Sequence, residues 1–268
     1  MERRAFLAAS TAAGLTHPAT LEAAPETAQP QGSPAAPLLL ELRRYRLRSG
    51  PMATRFAAYA KDALVPALSR AGIAPIGAWN VSFGPDSPTL HVLLPHPDAA
   101  SVAALDARLA ADADYRKAAA SFLALPPSDP PFLRCDSTLH AAVPTLPGVR
   151  KPSGDAAAAS RVFELRTYRS PSEPAGKRKI EMFEAGGELA IFARLGMHTV
   201  FFARDLVGAG LPSLTYMLAF ADVAAREKAW AAFRDDAEWV KLRDQPVYAD
   251  IVSGIDATLL RPTDYSGI

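Results

Sequence analysis

From Leu38 to Asp264 the chain alternates short apolar runs with longer stretches whose apolar residues recur every three or four positions, the periods of strands and amphipathic helices. "LLLELRRYRL" reads as a strand. "MATRFAAYAKDALVPALSRAG" follows, with Phe56, Ala60, Leu64, Ala67 and Ala71 on one helical face and Gly72 as its stop. "APIGAWNVSFG" and "TLHVLLP" are two more strands about the turn "GPDSP". A second helix is expected over "AASVAALDARLAADADYRKAAASFLAL" with Asp98 as its N-cap, and "CDSTLHAAV" closes the series as a strand. The order then starts again. "RVFELRTYRS" is followed by a helix through Ile180, Phe183, Gly187, Ile191 and Leu195 that ends at Gly196, then "HTVFFAR", "SLTYMLAFA", a helix capped by Asp222, and "IDATLLRP". Both rounds read β-α-β-β-α-β.

The two rounds are an internal repeat. "ELRRYR" from Glu41 and "ELRTYR" from Glu164 agree at five of six positions, 123 residues apart. Gly72 and Gly196, "LHVLL" and "LTYML", and "DADYRK" and "DAEWVK" correspond at an offset of 124. The expected fold class is α+β: two tandem ferredoxin-like (βαββαβ) units, residues 38–143 and 161–264, each a four-stranded antiparallel sheet with two helices on one face. The other sheet faces are too apolar for water and are expected to close on each other as an intramolecular dimeric α/β-barrel. Residues 144–160, "PTLPGVRKPSGDAAAAS", offer almost nothing large to bury and read as the linker.

Composition adds bounds. At 268 residues and 49% apolar content the chain has material for two cores of domain size. Twenty-nine basic against 28 acidic residues leave a charge of +1 with no basic stripe, which argues against a nucleic-acid partner. The single cysteine, Cys135, excludes an intrachain disulfide and any CxxC pair and reads as a small core hydrophobe. At the N-terminus Arg3 and Arg4 precede Phe6, Leu7 and a short acid-free run, the order of a twin-arginine export signal. Residues 1–37 are therefore expected to be that signal plus a Pro/Ala-rich tether, and the protein to be periplasmic or secreted. The run is too short for a permanent membrane span.

"FELRTYR", the Gly-x-Trp of Gly77 to Trp79, the strand-turn-strand "GPDSPTLHVLL" with its counterpart "LPSLTYMLAF", the run "AREKAWAAFRDDAEWVKL" and the terminal "LLRP" together resemble the NIPSNAP family. The resemblance spans both halves and is stronger in the second. It implies a dimeric α/β-barrel of ferredoxin-like units and, with the twin-arginine segment, a bacterial exported member. It implies little chemistry, since most members are uncharacterised and the better known ones are mitochondrial proteins linked to membrane trafficking and mitophagy signalling.

Strand alternation sets Glu41, Arg43 and Tyr45 against Leu40, Leu42 and Arg44, and Glu164, Arg166 and Tyr168 against Phe163, Leu165 and Thr167. The leucine and phenylalanine faces are expected to meet the helices, which sends both Glu-Arg-Tyr sets into the barrel. There they serve either as structural ion pairs or as a pocket whose arginines hold a small anionic or carbonyl-bearing molecule. Each glutamate would pair with the arginine on its own strand or with the one across the pseudo-twofold. Trp79 and His91, which alternation groups with Leu93, complete the barrel-facing candidates. Four other histidines, His17, His96, His140 and His198, lack the close spacing of a helical zinc motif, and no metal is expected.

Related αβ-barrel families include haem-binding and cofactor-free monooxygenases. By fold analogy this keeps Trp79, Asn80, His91 and His140 in view and haem as the one cofactor to test; no motif calls for another. "GAGLPS" from Gly208 precedes a strand and reads as a hairpin loop, and Trp230 with Phe233 reads as a helix seal. Three readings follow: a small-molecule binder using the inter-sheet cavity, a monooxygenase-like enzyme on the same barrel, and an interaction protein with a packed barrel. Whether the protein is an enzyme, and whether it forms a homo-oligomer, is left open by these patterns.

Overall fold

The structure is a computed structural model and describes residues 37–154 and 158–268, so the twin-arginine segment lies outside the described residues. The first half forms β1 (Leu39–Arg46), α1 (Pro51–Tyr59), α2 (Val65–Arg70), β2 (Gly77–Phe83), β3 (Thr89–His96), α3 (Ala99–Ala111), α4 (Ala113–Leu123) and β4 (Arg134–Ala142). The second forms β5 (Val162–Arg169), α5 (Glu173–Phe183), α6 (Glu188–Arg194), β6 (His198–Val207), β7 (Ser213–Phe220), α7 (Val223–Asp235), α8 (Ala237–Arg243) and β8 (Gly254–Pro262). The expected order is present twice, but each expected helix is divided.

The divisions have local causes. Pro66 cannot donate to the turn before it, and the chain widens into a π-helical segment over Ala60–Leu64 between α1 and α2. In the second half the break is at Gly187, whose φ of 94° is left-handed. The repeated "DADYRK" and "DAEWVK" are caps rather than helix interior. Asp112 accepts from Tyr115 N at 2.9 Å and Asp236 from Trp239 N at 3.0 Å, each starting a new helix. Each aspartate also binds an arginine that is itself repeated, Arg70 Nε at 2.8 Å and Arg194 Nη1 at 2.9 Å. Asp98 and Asp222 cap as expected, accepting from Ser101 N and Ala225 N at 2.7 Å.

The strands close into an eight-stranded antiparallel barrel in the order β1-β3-β2-β8-β5-β7-β6-β4. Each half contributes four neighbouring strands in the same internal order, and the seams are β2 against β8 and β4 against β6. Three cores result. Tyr45, Phe56, Leu90, Val92 and Leu94 lie in the one between the first half's strands and its helices, and Tyr168, Phe183, Tyr216, Leu218 and Trp230 in its counterpart. The third lies inside the barrel: Leu40, Leu42, Trp79, Leu93, Phe163, Leu165, Phe201, Met217 and Leu260. Gly77 is required there, because a Cβ on it would overlap the six-membered edge of the Trp79 indole.

Candidate functional site

The strand faces are the reverse of the expectation. Leu40, Leu42, Phe163 and Leu165 point into the barrel, while Tyr45 and Tyr168 lie in the helix-side cores. Glu41, Arg43, Glu164 and Arg166 share the tyrosines' faces by alternation. The physical reason is demand: Leu40, Leu42, Phe163 and Leu165 need only apolar neighbours and pack inside the barrel, whereas Glu41 and Glu164 need the hydrogen-bonding partners found on the other face.

Those partners are on the same strand, on the neighbouring strand β4 and on α7, not across the pseudo-twofold. Arg43 clasps Glu41 through Nε at 2.7 Å and Nη2 at 3.1 Å, and Ser137 donates at 2.7 Å. His96 Nε2 stands 3.4 Å from the same carboxylate without a formed hydrogen bond, near enough to favour its charge. Glu164, fully buried, accepts from Arg166 at 2.6 Å, from Arg226 at 2.8 Å and from Trp230 Nε1 at 2.7 Å, the last two on α7. Burial alone would raise both carboxyls. His96, Arg43 and Ser137 outweigh it and bring Glu41 down to about 2, and Arg226, Trp230 and Arg166 likewise lower Glu164. These carboxylates are paired structural anions and poor bases. Tyr45 is pushed up to about 12 by burial and Tyr168 is raised for the same reason, so neither phenol ionises readily. Trp230 is the sealing residue expected and also a donor to Glu164.

Trp79 and His91 do face the barrel, and the register joins them to a residue assigned to the wrong side. Arg44 lies opposite His91, and His91 opposite Trp79. Arg44 Nε, His91 Nδ1 and Trp79 Nε1 are all buried without a hydrogen-bond partner among the described residues. Burial, with Arg44 and Arg46 nearby, pushes His91 down to about 3, so its ring is neutral. The corresponding row of the second half is Thr167, Thr215 and Ala203, in which the two hydroxyls bond each other at 3.0 Å.

A second polar group lines the β4–β6 seam. His140 Nδ1 meets Asp205 at 2.7 Å and its Nε2 meets Thr138 Oγ1 at 2.9 Å. Ser213 and Thr215 donate to the other Asp205 oxygen at 2.6 and 3.0 Å. With both ring nitrogens engaged, His140 does not fit as an axial ligand to haem. Trp79 packs among Leu42, Leu93 and Phe163 in the barrel core, surroundings that do not fit a macrocycle. Arg44, Thr138 and Asp205 were missed because single-strand alternation does not show which side of a sheet is the barrel or which strands form the seam. One signal was available for two of them: Arg44 and Asp205 are inward positions at which the two repeats differ, with Thr167 and Val81 as their counterparts.

Outside the barrel, a groove of about 890 Å³ runs between α6, α7 and the segment after β4, with Arg150, Arg161, Lys228 and His198 along an apolar floor. Beneath α5 and α6, Lys179 pairs with Glu188 at 2.9 Å, both buried. Among the described residues no group of three or more acidic, histidine or cysteine side chains has metal-site geometry, and no helix is long and apolar enough to cross a membrane.

Comparison with known proteins places the chain as follows. The model of the NIPSNAP family matches residues 40–126 and 163–267. A provisionally assigned monooxygenase from Fusobacterium nucleatum superposes over 85% of this chain and 93% of its own, with a TM-score of 0.57 at 11% identity. Another from Lactobacillus acidophilus does so over 84% and 94%, with a TM-score of 0.57 at 7% identity. A NIPSNAP family protein from Agrobacterium tumefaciens is 21% identical and covers 40% of this chain and 96% of its own, with a TM-score of 0.35. At these identities the two longer matches speak for the fold alone. No curated protein matches the chain.

Proposed function

The chain belongs to the NIPSNAP family, and from that premise we propose that it is an exported binding protein for a small anionic or carbonyl-bearing molecule, held inside the barrel by Arg44, His91 and Trp79. Each half is read as a ferredoxin-like unit, supported by the shared strand order and the repeated caps. The observation that carries the binding reading is the donor row. An unpaired buried polar group costs on the order of 1–3 kcal/mol, and here three stand side by side. Arg44 Nε and Trp79 Nε1 are donors only, so the complement is an acceptor: a carboxylate or carbonyl oxygen. Because Leu42, Leu93 and Phe163 fill the space beside the row, the acceptor belongs to a small molecule. The Glu-Arg-Tyr sets, already paired on the helix side, drop out of the ligand site.

The test is titration of the folded protein with sodium formate while the His91 ring is followed by NMR. A saturable shift that disappears in Arg44→Met supports the reading. An unchanged His91 resonance, with no small molecule retained in native mass spectrometry of protein from its own periplasm, refutes it. The groove supports a second reading, because its volume and cations suit a longer amphipathic carboxylate. Laurate binding lost in Arg161→Met with Lys228→Met and kept in Arg44→Met would favour that site.

A further inference from the structure

We propose that Thr138 is an activated nucleophile, with His140 as its general base and Asp205 as the group that orients the base, and that this set transfers acyl groups from small activated carboxylic esters to water. The site is separate from the donor row and does not depend on it.

The geometry has the order such chemistry needs. A carboxylate only accepts, so the 2.7 Å contact with Asp205 puts the imidazole proton on Nδ1. Nε2 is then the free acceptor, and the Thr138 hydroxyl lies 2.9 Å from it. The hydroxyl's other acceptor, the Leu42 carbonyl oxygen, is farther away at 3.4 Å. Asp205 is itself fixed by Ser213 and Thr215. His140 is 2% exposed, which shields the relay, whereas Thr138 is only half-buried. The β4–β6 ladder begins at Leu139, so on that side Arg134–Thr138 have no paired strand between them and an arriving molecule. Gly208, from the "GAGLPS" loop, packs against the methyl side of Thr138, where a Cβ would lie 3.1 Å from Cγ2.

The repeat supplies the control. "CDSTLHAA" in β4 aligns with "IDATLLRP" in β8, so Thr138 corresponds to Thr258 and His140 to Leu260. At the other seam Leu260 pairs with Val81, as His140 pairs with Asp205 at this one. The barrel therefore closes with an apolar pair at one seam, and a buried imidazole and carboxylate are not something its closure demands.

In the reaction the Thr138 Oγ–carbon bond forms as the hydroxyl proton moves to His140 Nε2. The ester carbon–oxygen bond breaks, and the leaving alcohol takes that proton. Water then cleaves acyl-Thr138 by the same route, with Nε2 accepting the water proton and returning it to Thr138.

Two probes test this on the whole chain: p-nitrophenyl acetate, read as p-nitrophenol release, and diisopropyl fluorophosphate, read as a mass adduct mapped by peptide. The expected result is one adduct, on Thr138. Labelling should be slowed about a hundredfold or more in His140→Leu and in Asp205→Asn, and abolished in Thr138→Val. The paired variant His140→Leu with Asp205→Val, which copies the other seam, removes the relay and should be inert. No turnover and no adduct with either probe, an adduct elsewhere, or labelling of Thr138 at an unchanged rate in the paired variant would each overturn the proposal.

Discussion

Removing one arginine from each Glu-Arg-Tyr set should have unequal effects, in an order the sequence repeat hides. In Arg43→Met the Glu41 carboxylate, nearly buried, keeps a single formed hydrogen bond from Ser137 and no cation in direct contact. Stranding a buried charge in this way costs about 3 kcal/mol or more. In Arg166→Met, Glu164 still has Arg226 and Trp230, so a neutral ion pair remains and the loss is one charge-assisted bond plus a cation–π contact at 4.7 Å, about 2 kcal/mol. The acids reverse the order. Glu41→Gln leaves one partly exposed guanidinium, whereas Glu164→Gln leaves two against the same site. Glu227, which also meets Arg226, is exposed and offsets little. Equilibrium urea unfolding of the four variants gives the ranking, and a double-mutant cycle for each Glu–Arg pair isolates the coupling. If Arg166→Met is at least as harmful as Arg43→Met, or Glu41→Gln as harmful as Glu164→Gln, the charge bookkeeping is wrong; four neutral variants would put these side chains in solvent.

Acid should unfold the protein through the same groups. The Glu41 carboxyl falls from 4.5 unfolded to about 2 folded, so its stabilisation is complete above pH 4.5 and is lost as pH drops towards 2, a change of about 3 kcal/mol. Glu164 is shifted in the same direction. Urea midpoints should therefore decline steeply below pH 4.5 and less so in Glu41→Gln, and a flat profile down to pH 2 would contradict the shift. For export, replacing Arg3 and Arg4 by Lys should hold the precursor in the cytoplasm; undiminished periplasmic accumulation of that variant excludes the twin-arginine route.

The element order, the repeat and the closed barrel were readable because they depend on periodicity and on paired glycine and aspartate signals, which are local. The direction of the sheet faces was not. Alternation separates Glu41, Arg43 and Tyr45 from Leu40, Leu42 and Arg44 with certainty, but both faces of β1 are buried, so hydropathy cannot say which one meets the helices. The deciding residues, Ser137, Arg226 and Trp230, lie 62 to 96 positions away. His91 was a barrel-facing candidate because alternation groups it with Leu93, and Trp79 was one by fold analogy, not by any pattern in its own strand. The Thr138–His140–Asp205 group crosses a seam between the halves, a pairing that no pattern within either half encodes.

The repeat also measures what the fold itself requires. At matched inward positions one half carries Arg44, His91 and Trp79 where the other has Thr167, Thr215 and Ala203, and one seam has His140 and Asp205 where the other has Leu260 and Val81. If the polar pair at the seam were structural, copying the apolar seam would weaken the barrel. If it is retained for chemistry, the paired variant His140→Leu with Asp205→Val should be at least as stable as the natural chain. Replacing a buried polar pair by packed apolar side chains is often neutral or stabilising, by about 1–4 kcal/mol. Here part of that gain is returned: Ser213 loses its acceptor, while Thr215 keeps Thr167 and Thr138 keeps the Leu42 carbonyl. The net expectation is a gain of about 1 kcal/mol in urea unfolding. Either single substitution should be destabilising, since His140→Leu leaves a buried carboxylate and Asp205→Val a buried imidazole without its anchor. A paired variant less stable than the natural chain by more than about 1 kcal/mol would show that the seam needs its polar pair, and the case for chemistry at that seam would then rest on labelling alone.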